Sequence, residues 1–286
     1  MPAIDELETL QQDWELWPNI IAHRPTLDDF EFLDNGLTNN NWLLKGDSQD
    51  YVIRMNAANP EALYLNRAAE WHIHQLASDM KLCPSFVFRH PENLYWIRPF
   101  QPGKTLARFF QSEISSDIET DNILKQAAKI YKRIHSIPIS NNWPRIHFKD
   151  RTDHYWQQII QNNADLTALK QALDDQFQVH SFSPVLCHMD GNLNNWILDT
   201  DKKLSLIDWE YTSVANPMWD LAVFIDSAQL TNTQEAVFLD AYGHVSKKLL
   251  EQGKQQMHYL SQLWYVVQKQ APATSLNALL KTERFC

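Results

Sequence analysis

The first hundred residues carry short apolar runs, and the remainder carries longer runs with a period of about 3.6. Phe30–Leu33, Asn41–Lys45 and Tyr51–Met55 each place aromatic or aliphatic residues among polar ones over four or five positions, which predicts strands. Gly46-Asp47-Ser48 supplies turn chemistry between the second and third. A helix is predicted from about Pro60 to Met80, with Pro60 near its first turn and Glu61 complementing its dipole. Two more strands, Phe86–Arg89 and Tyr95–Pro99, flank the turn His90-Pro91-Glu92-Asn93, and Gln101-Pro102-Gly103 then breaks the chain like a hinge.

Beyond the hinge the pattern turns helical. Ile123, Leu124, Ala127, Ile130, Tyr131 and Ile134 share one face of a helix over Asp121–Ile137, which Pro138 ends. A second helix is expected from about Asp153 into the 170s. A short hairpin, Trp196–Asp199 and Leu204–Ile207, turns at Thr200-Asp201-Lys202. Helices follow over roughly Pro217–Leu230, Gln234–Tyr242 and Leu249–Gln270. A strand-rich small lobe, residues 1–100, leading into a mainly helical large lobe, residues 101–286, is an α+β arrangement.

Charge and cysteine usage narrow the classes. Lys and Arg number 25 against 35 Asp and Glu, a net charge of −10, which is a poor match for nucleic acid or anionic lipid and compatible with a cationic ligand. Cys83, Cys187 and Cys286 show no paired spacing, which argues against a disulfide framework or zinc knuckle. Met1–Leu10 carries acids and no apolar run, and no stretch has the length of a membrane span, so no signal peptide or anchor is expected and the cytoplasm is the default location. Monomer and homodimer both stay open.

The chemistry concentrates in two segments. The first runs Leu186-Cys-His-Met-Asp-Gly-Asn-Leu-Asn-Asn-Trp196, and the second is Leu206-Ile-Asp-Trp-Glu210. His188, Asp190 and Asn195 lie just before the hairpin, and Asp208 just after it. Because a hairpin returns the chain to its start, Asp208 is expected to face Asn195 and Asp190. An isolated loop Asp or Asn is ordinarily a cap or an Asx turn; the combination suits phosphoryl transfer. One carboxylate accepts the proton of an acceptor hydroxyl, and a carboxylate with an amide oxygen forms a minimal Mg²⁺ site. Gly103-Lys104-Thr105 echoes the end of a P-loop, but Arg98 stands where its first glycine belongs.

His188-x-Asp190-x-x-x-x-Asn195 followed by Ile207-Asp208-Trp209-Glu210-Tyr211 resembles the catalytic and metal-binding loops of the choline kinase and aminoglycoside phosphotransferase family, over roughly residues 30 to 265. The resemblance implies a protein-kinase-like fold, ATP and Mg²⁺ as cofactors, and a small-molecule acceptor. It casts Asp190 as base, Asn195 and Asp208 as metal ligands, His188 as a brace for the metal-binding segment and Asp220 as the buried aspartate that holds the catalytic loop. Gly36-Leu-Thr-Asn-Asn-Asn41 resembles the phosphate-covering loop, so Thr38, Asn39, Asn40 and Asn41 become ATP contacts. Arg54 takes the place of the phosphate-pairing cation with Glu70 as partner. Trp96–Phe100, with Arg98 and Phe100, becomes the hinge that reads adenine.

For the acceptor, Glu210, Asp226, Trp264 and Tyr265 are the candidates, since carboxylates and aromatic faces attract quaternary or heteroaromatic cations. Choline-type kinases often carry an acid seven residues after the aspartate matching Asp220; this chain has Ser227 there and Asp226 one place earlier. The resemblance thus leaves choline-, ethanolamine- and thiamine-like acceptors open. An aminoglycoside phosphotransferase and a catalytically silent nucleotide-binding module are the alternatives.

Overall fold

The computed structural model describes residues 4–17, 20–35, 39–57, 59–60, 63–111, 116–160, 166–177 and 182–281. The chain divides into two compact units. One comprises Met1–Arg108 with Asn195–Tyr211, the other Phe109–Asn194 with Thr212–Cys286.

The first unit is built on a five-stranded antiparallel sheet. Its strands β1 (Phe30–Asn35), β2 (Asn40–Leu44), β3 (Tyr51–Met55), β4 (Phe88–Arg89) and β5 (Tyr95–Pro99) lie in the order β1-β2-β3-β5-β4. Strand alternation sorts the side chains onto two faces. Trp42, Leu44, Tyr51, Ile53, Met55, Tyr95 and Ile97 share one face, and they form a core with Leu10, Trp17, Ile20 and Ile21 from the N-terminal segment. That segment begins with α1 (Ile4–Gln12), which the sequence pattern did not predict. Its Glu6 accepts hydrogen bonds from Asn40 Nδ2 at 2.8 Å and Trp42 Nε1 at 3.0 Å. The opposite face presents Arg54, Trp96 and Arg98, with Arg54 registered against Trp96.

Helix α2 (Arg67–Asp79) starts later than Pro60, because Asn66 is its N-cap, accepting from Ala69 N at 3.0 Å. Gly103 does not break the chain. Gly103–Thr105 is strand β6, which pairs with β8 (Trp196–Asp199), and β8 pairs with β9 (Leu204–Leu206). This three-stranded sheet explains why residues 195–211 return to the first unit. The backbone bond from Leu206 N to Leu82 O, 2.9 Å, fastens the hairpin there.

Helix α3 (Leu106–Gln111) follows β6 directly and runs across the division at Arg108. The second unit is helical: α4 (Asp117–His135), α5 (Phe148–Ile160), α6 (Thr167–Gln176), α7 (Pro217–Ala228), α8 (Asn232–Tyr242) and α9 (Lys247–Val267). The single helix expected from Asp153 is two, α5 and α6. Two short strands, β7 (Val185–Cys187) and β10 (Ser213–Ala215), form an antiparallel pair in this unit. Asn216 caps α7 and Pro217 opens it, while Thr231 and Gln234 form a capping box on α8. Two buried indoles are paired across helices: Trp156 Nε1 donates to the Tyr259 hydroxyl at 2.6 Å, and Trp219 Nε1 to Gln256 Oε1 at 2.7 Å. Cys83 and Cys187 are buried thiols in no disulfide; Cys286 lies outside the described residues.

Helices α7 and α9 cross at Gly253, where a Cβ would stand 2.8 Å from Met218 Cβ and 3.0 Å from its carbonyl oxygen. Gly253→Val is therefore expected to destabilise the protein by about 2 kcal/mol through overpacking, read as a lower urea midpoint at unchanged slope. An unaltered midpoint would show that the crossing yields without cost.

Candidate active site

The loop from His188 to Asn194 leaves β7 at its buried end and hangs on α7. Asp220, fully buried on α7, accepts backbone hydrogen bonds from His188 N at 2.8 Å and Met189 N at 2.7 Å. Two successive amides reach one carboxylate because Met189 adopts a left-handed conformation, φ +70°, at a cost of about 1–3 kcal/mol. The same carboxylate bonds His135 Nε2 at 3.0 Å, and His135 Nδ1 meets the Tyr242 hydroxyl at 2.8 Å, so α4, α7 and α8 all support the loop. His188 is fully buried and its Nδ1 accepts from Asp190 N at 3.3 Å. Asp190 is half-buried, and Asn192 Nδ2 donates to its Oδ1 at 2.9 Å. Ser227 Oγ, one residue past Asp226 on α7, accepts from Leu193 N at 3.0 Å. At the position where choline-type kinases often have an acid, this chain thus has a hydroxyl that secures the loop. His135 and Ser227 were not singled out from the sequence for these tasks; a histidine in the last turn of α4 was the available signal.

In the first unit, Ile207 N donates to Asn195 O at 2.8 Å, which sets the two backbone segments carrying Asn195 and Asp208 side by side. Asp208 takes φ +63°, a second strained non-glycine position. Arg54, buried on β3, forms ion pairs with Glu70 Oε1 at 2.7 Å and Asp208 Oδ1 at 2.9 Å, and bonds Asn56 Oδ1 at 3.0 Å. Its guanidinium lies 4.7 Å over the Trp96 ring, within cation–π range. Burial alone would pull the Arg54 pKa down, but Glu70, Asp208 and Glu210 together hold it above its ordinary value.

A second arginine, Arg67, extends the network. Its Nη1 reaches Glu70 Oε2 at 2.8 Å and Glu210 Oε2 at 3.0 Å. Asn39 Nδ2 donates to the same Glu210 oxygen at 2.9 Å, and Asn39 Oδ1 accepts from Ala57 N at 3.1 Å. Three acids, Glu70, Asp208 and Glu210, thus share two guanidiniums. Burial, with repulsion from Asp208 and Glu70 against the pull of Arg54 and Arg67, pushes Glu210 up to about 8. Asn195 and Asp208 offer an amide oxygen and a carboxylate, hard donors that fit Mg²⁺.

Several expected contacts fall elsewhere. Asn40 sits on the α1 face of the sheet, bonded to Glu6, because strand alternation turns it away from Arg54. Asn39 is buried and bonded to Glu210 and Ala57, so both of its polar ends are committed inside the unit. Asn41, registered against Arg54, is half-buried, and Thr38 lies outside the described residues. Glu210 was expected to face a cationic acceptor. Its carboxylate is instead buried against Arg67 and Asn39. Arg98 Nη1 donates to Pro99 O at 3.3 Å, burial lowering the Arg98 pKa to about 10, while the Phe100 side chain is exposed. In the second unit, Asp226 and Tyr265 are exposed, and the Trp264 and Tyr265 rings meet edge-on at 5.3 Å.

A family model described as the phosphotransferase enzyme family matches residues 29–260, and the chain belongs to that family. Among curated proteins, a LicA homolog of Mycoplasma capricolum is 27% identical over 154 residues, covering 53% of this chain and 63% of that protein, so the match spans less than two thirds of the relative. Among solved structures, choline kinase LicA from Streptococcus pneumoniae superposes with a TM-score of 0.70 at 20% identity, covering 98% of this chain and all of that one. The ADP-bound aminoglycoside phosphotransferase APH(2″)-Ib gives a TM-score of 0.71 at 17% identity, over 96% and 97% of the two chains. The fold is protein-kinase-like. No helix among the described residues is long and apolar enough to cross a membrane.

Both donors to Glu210 converge on Oε2, so a proton on Oε1 disturbs neither. A carboxyl whose folded pKa exceeds its unfolded value of 4.5 costs stability as pH rises from there to about 8. Glu210→Gln should therefore match the wild type near pH 4.5 and become progressively more stable relative to it up to pH 8. Urea titrations of both proteins across that range measure the difference; parallel curves would mean that Glu210 is ionised throughout.

Proposed function

We propose that the protein is an ATP-dependent kinase that transfers the γ-phosphate to a hydroxyl of a small cationic metabolite of the choline, ethanolamine or thiamine kind. The observation that carries the reading is the Asp190 loop, whose backbone Asp220 holds through two buried amide bonds. A base must be aimed before its basicity matters, and a loop fixed at His188, Met189 and Leu193 aims one carboxylate. Asp190 takes the acceptor's proton, with Asn192 orienting one of its oxygens. Asn195 and Asp208 would hold Mg²⁺, which would supply positive charge against the phosphates of the nucleotide. Arg54, kept charged and directed by Glu70, steadies the phosphate chain.

The nucleotide-bound neighbour and the choline kinase LicA support this class of reaction. Choline and aminoglycosides are both cationic, and a chain of net charge −10 suits either. With the Glu210 carboxylate committed to Arg67, Asp226, Trp264 and Tyr265 are the acceptor candidates, all on α7 and α9.

The test is ATP consumption in the presence of choline, ethanolamine, thiamine, homoserine, sugars and a set of aminoglycosides. A cationic alcohol from the first three should raise turnover well above the acceptor-free rate. Preference for an aminoglycoside would move the protein to the antibiotic-modifying branch, and turnover indifferent to every acceptor would leave a nucleotide-binding module. With the acceptor found, Asp190→Asn should lower kcat at least about a hundredfold and leave the affinity for the nucleotide little changed. Full activity in that variant would remove Asp190 from the role of base. Asp208→Ala should abolish Mg²⁺-dependent nucleotide binding in a protein that keeps its circular dichroism; retained Mg·ATP turnover would reject the metal site.

A further inference from the structure

Gly191 follows Asp190 and is buried. A Cβ built there would overlap the hydroxyl of Tyr131 and lie 3.0 Å from its Cζ. Tyr131 comes from α4, is fully buried and is walled in by aromatic rings: Phe224 at 6.1 Å, Phe238 at 6.4 Å and His135 at 5.8 Å between centroids. It cannot give way to a methyl group without repacking three helices, since buried aromatic cores are close-packed. The loop beside it is equally constrained, held by Asp220 on one side of Gly191 and by Ser227 on the other.

From this geometry we infer that Tyr131 and Gly191 form a positioning pair: the tyrosine hydroxyl is a hard stop against which the bare glycine backbone rests, and that contact sets where the Asp190 carboxylate points. The inference rests on Asp190 being the base of a phosphotransferase, as proposed above. Hydrogen bonds from Asp220 and Ser227 hold the two ends of the loop; the contact at Gly191 defines its middle, one residue from the reacting carboxylate. Displacements of about 1 Å at a reacting group cost on the order of a hundredfold in rate, so a methyl group at residue 191 is felt in the chemical step. Tyr131 touches neither acceptor nor nucleotide in this account and acts only through the loop.

A double-mutant cycle on the full chain tests it. Gly191→Ala should lower kcat at least about tenfold and keep the nucleotide KM within about twofold, because the nucleotide-binding residues Arg54, Glu70 and Asp208 lie in the other unit. Adding Tyr131→Phe, which removes the obstructing oxygen and leaves only the 3.0 Å contact with Cζ, should recover part of that loss, so that the double variant is faster than Gly191→Ala alone. A merely structural role would lower the amount of folded enzyme without this recovery in kcat per active site. Should Gly191→Ala fail to accumulate as folded protein, the double variant must fold and turn over, and its failure to do so counts against the pair. Additive effects, or a Gly191→Ala enzyme with wild-type kcat, overturn the inference. A wild-type protein without acceptor-dependent turnover overturns the kinase reading itself, and this inference with it.

Discussion

The carboxylate of Asp220 organises the loop of the second unit that bears Asp190. It is fully buried, and a buried charge is tolerable only when several donors surround it. Two of those donors are successive amides of the loop that bears Asp190, and the third is His135. The requirement runs both ways. The loop keeps its strained turn at Met189 because the carboxylate needs both amides, and the carboxylate is satisfied in the core because the loop supplies them. Removing either partner would strand the other, at about 1–3 kcal/mol for each buried group left unsatisfied. The positions of His188, Met189 and Asp190 descend from that exchange.

The first unit uses a different logic. Its polar interior is ionic: two arginines stand among three acids. Such a cluster is weak evidence for stability, since the desolvation of each ion offsets much of the attraction. Its use is orientation. Arg54 joins the helix residue Glu70 to Asp208 beyond the hairpin, so a strand, a helix and a loop are registered through one planar guanidinium. Protonation of Glu210 leaves two guanidiniums facing two carboxylates, which balances the cluster.

Much of the fold could be read from the sequence because most elements announce themselves locally. Strand β3 and strand β5 have the limits expected from their patterns, and α7 through α9 begin within two residues of theirs. The fused helix near Asp153 and the early start assigned to α2 show where periodicity misleads: caps decide ends, and Asn66 is visible only as one Asn among many. Strand β6 was hidden because Pro102 and Gly103 look like punctuation until β8 is there to pair with. In the site, spacing alone singled out the Asp190, Asn195 and Asp208 loops. The commitments of Asn39, Asn40 and Glu210 were not legible, because each depends on a partner far along the chain: Glu210 lies 171 residues from Asn39 and 143 from Arg67.

The three-stranded sheet of β6, β8 and β9 has a consequence for how the protein is made. The first unit is not a continuous segment. Strand β6 leaves the ribosome about ninety residues before β8, its pairing partner, and at 5–20 residues per second that interval is on the order of ten seconds. During it, the nascent chain can complete its five-stranded sheet but must leave β6 as an open edge while the first helices of the other unit emerge. Open edges recruit other strands. A pause in translation or a break in the chain anywhere between Thr105 and Trp196 would prolong this exposed stage, which makes it the interval in which a chaperone has most to protect.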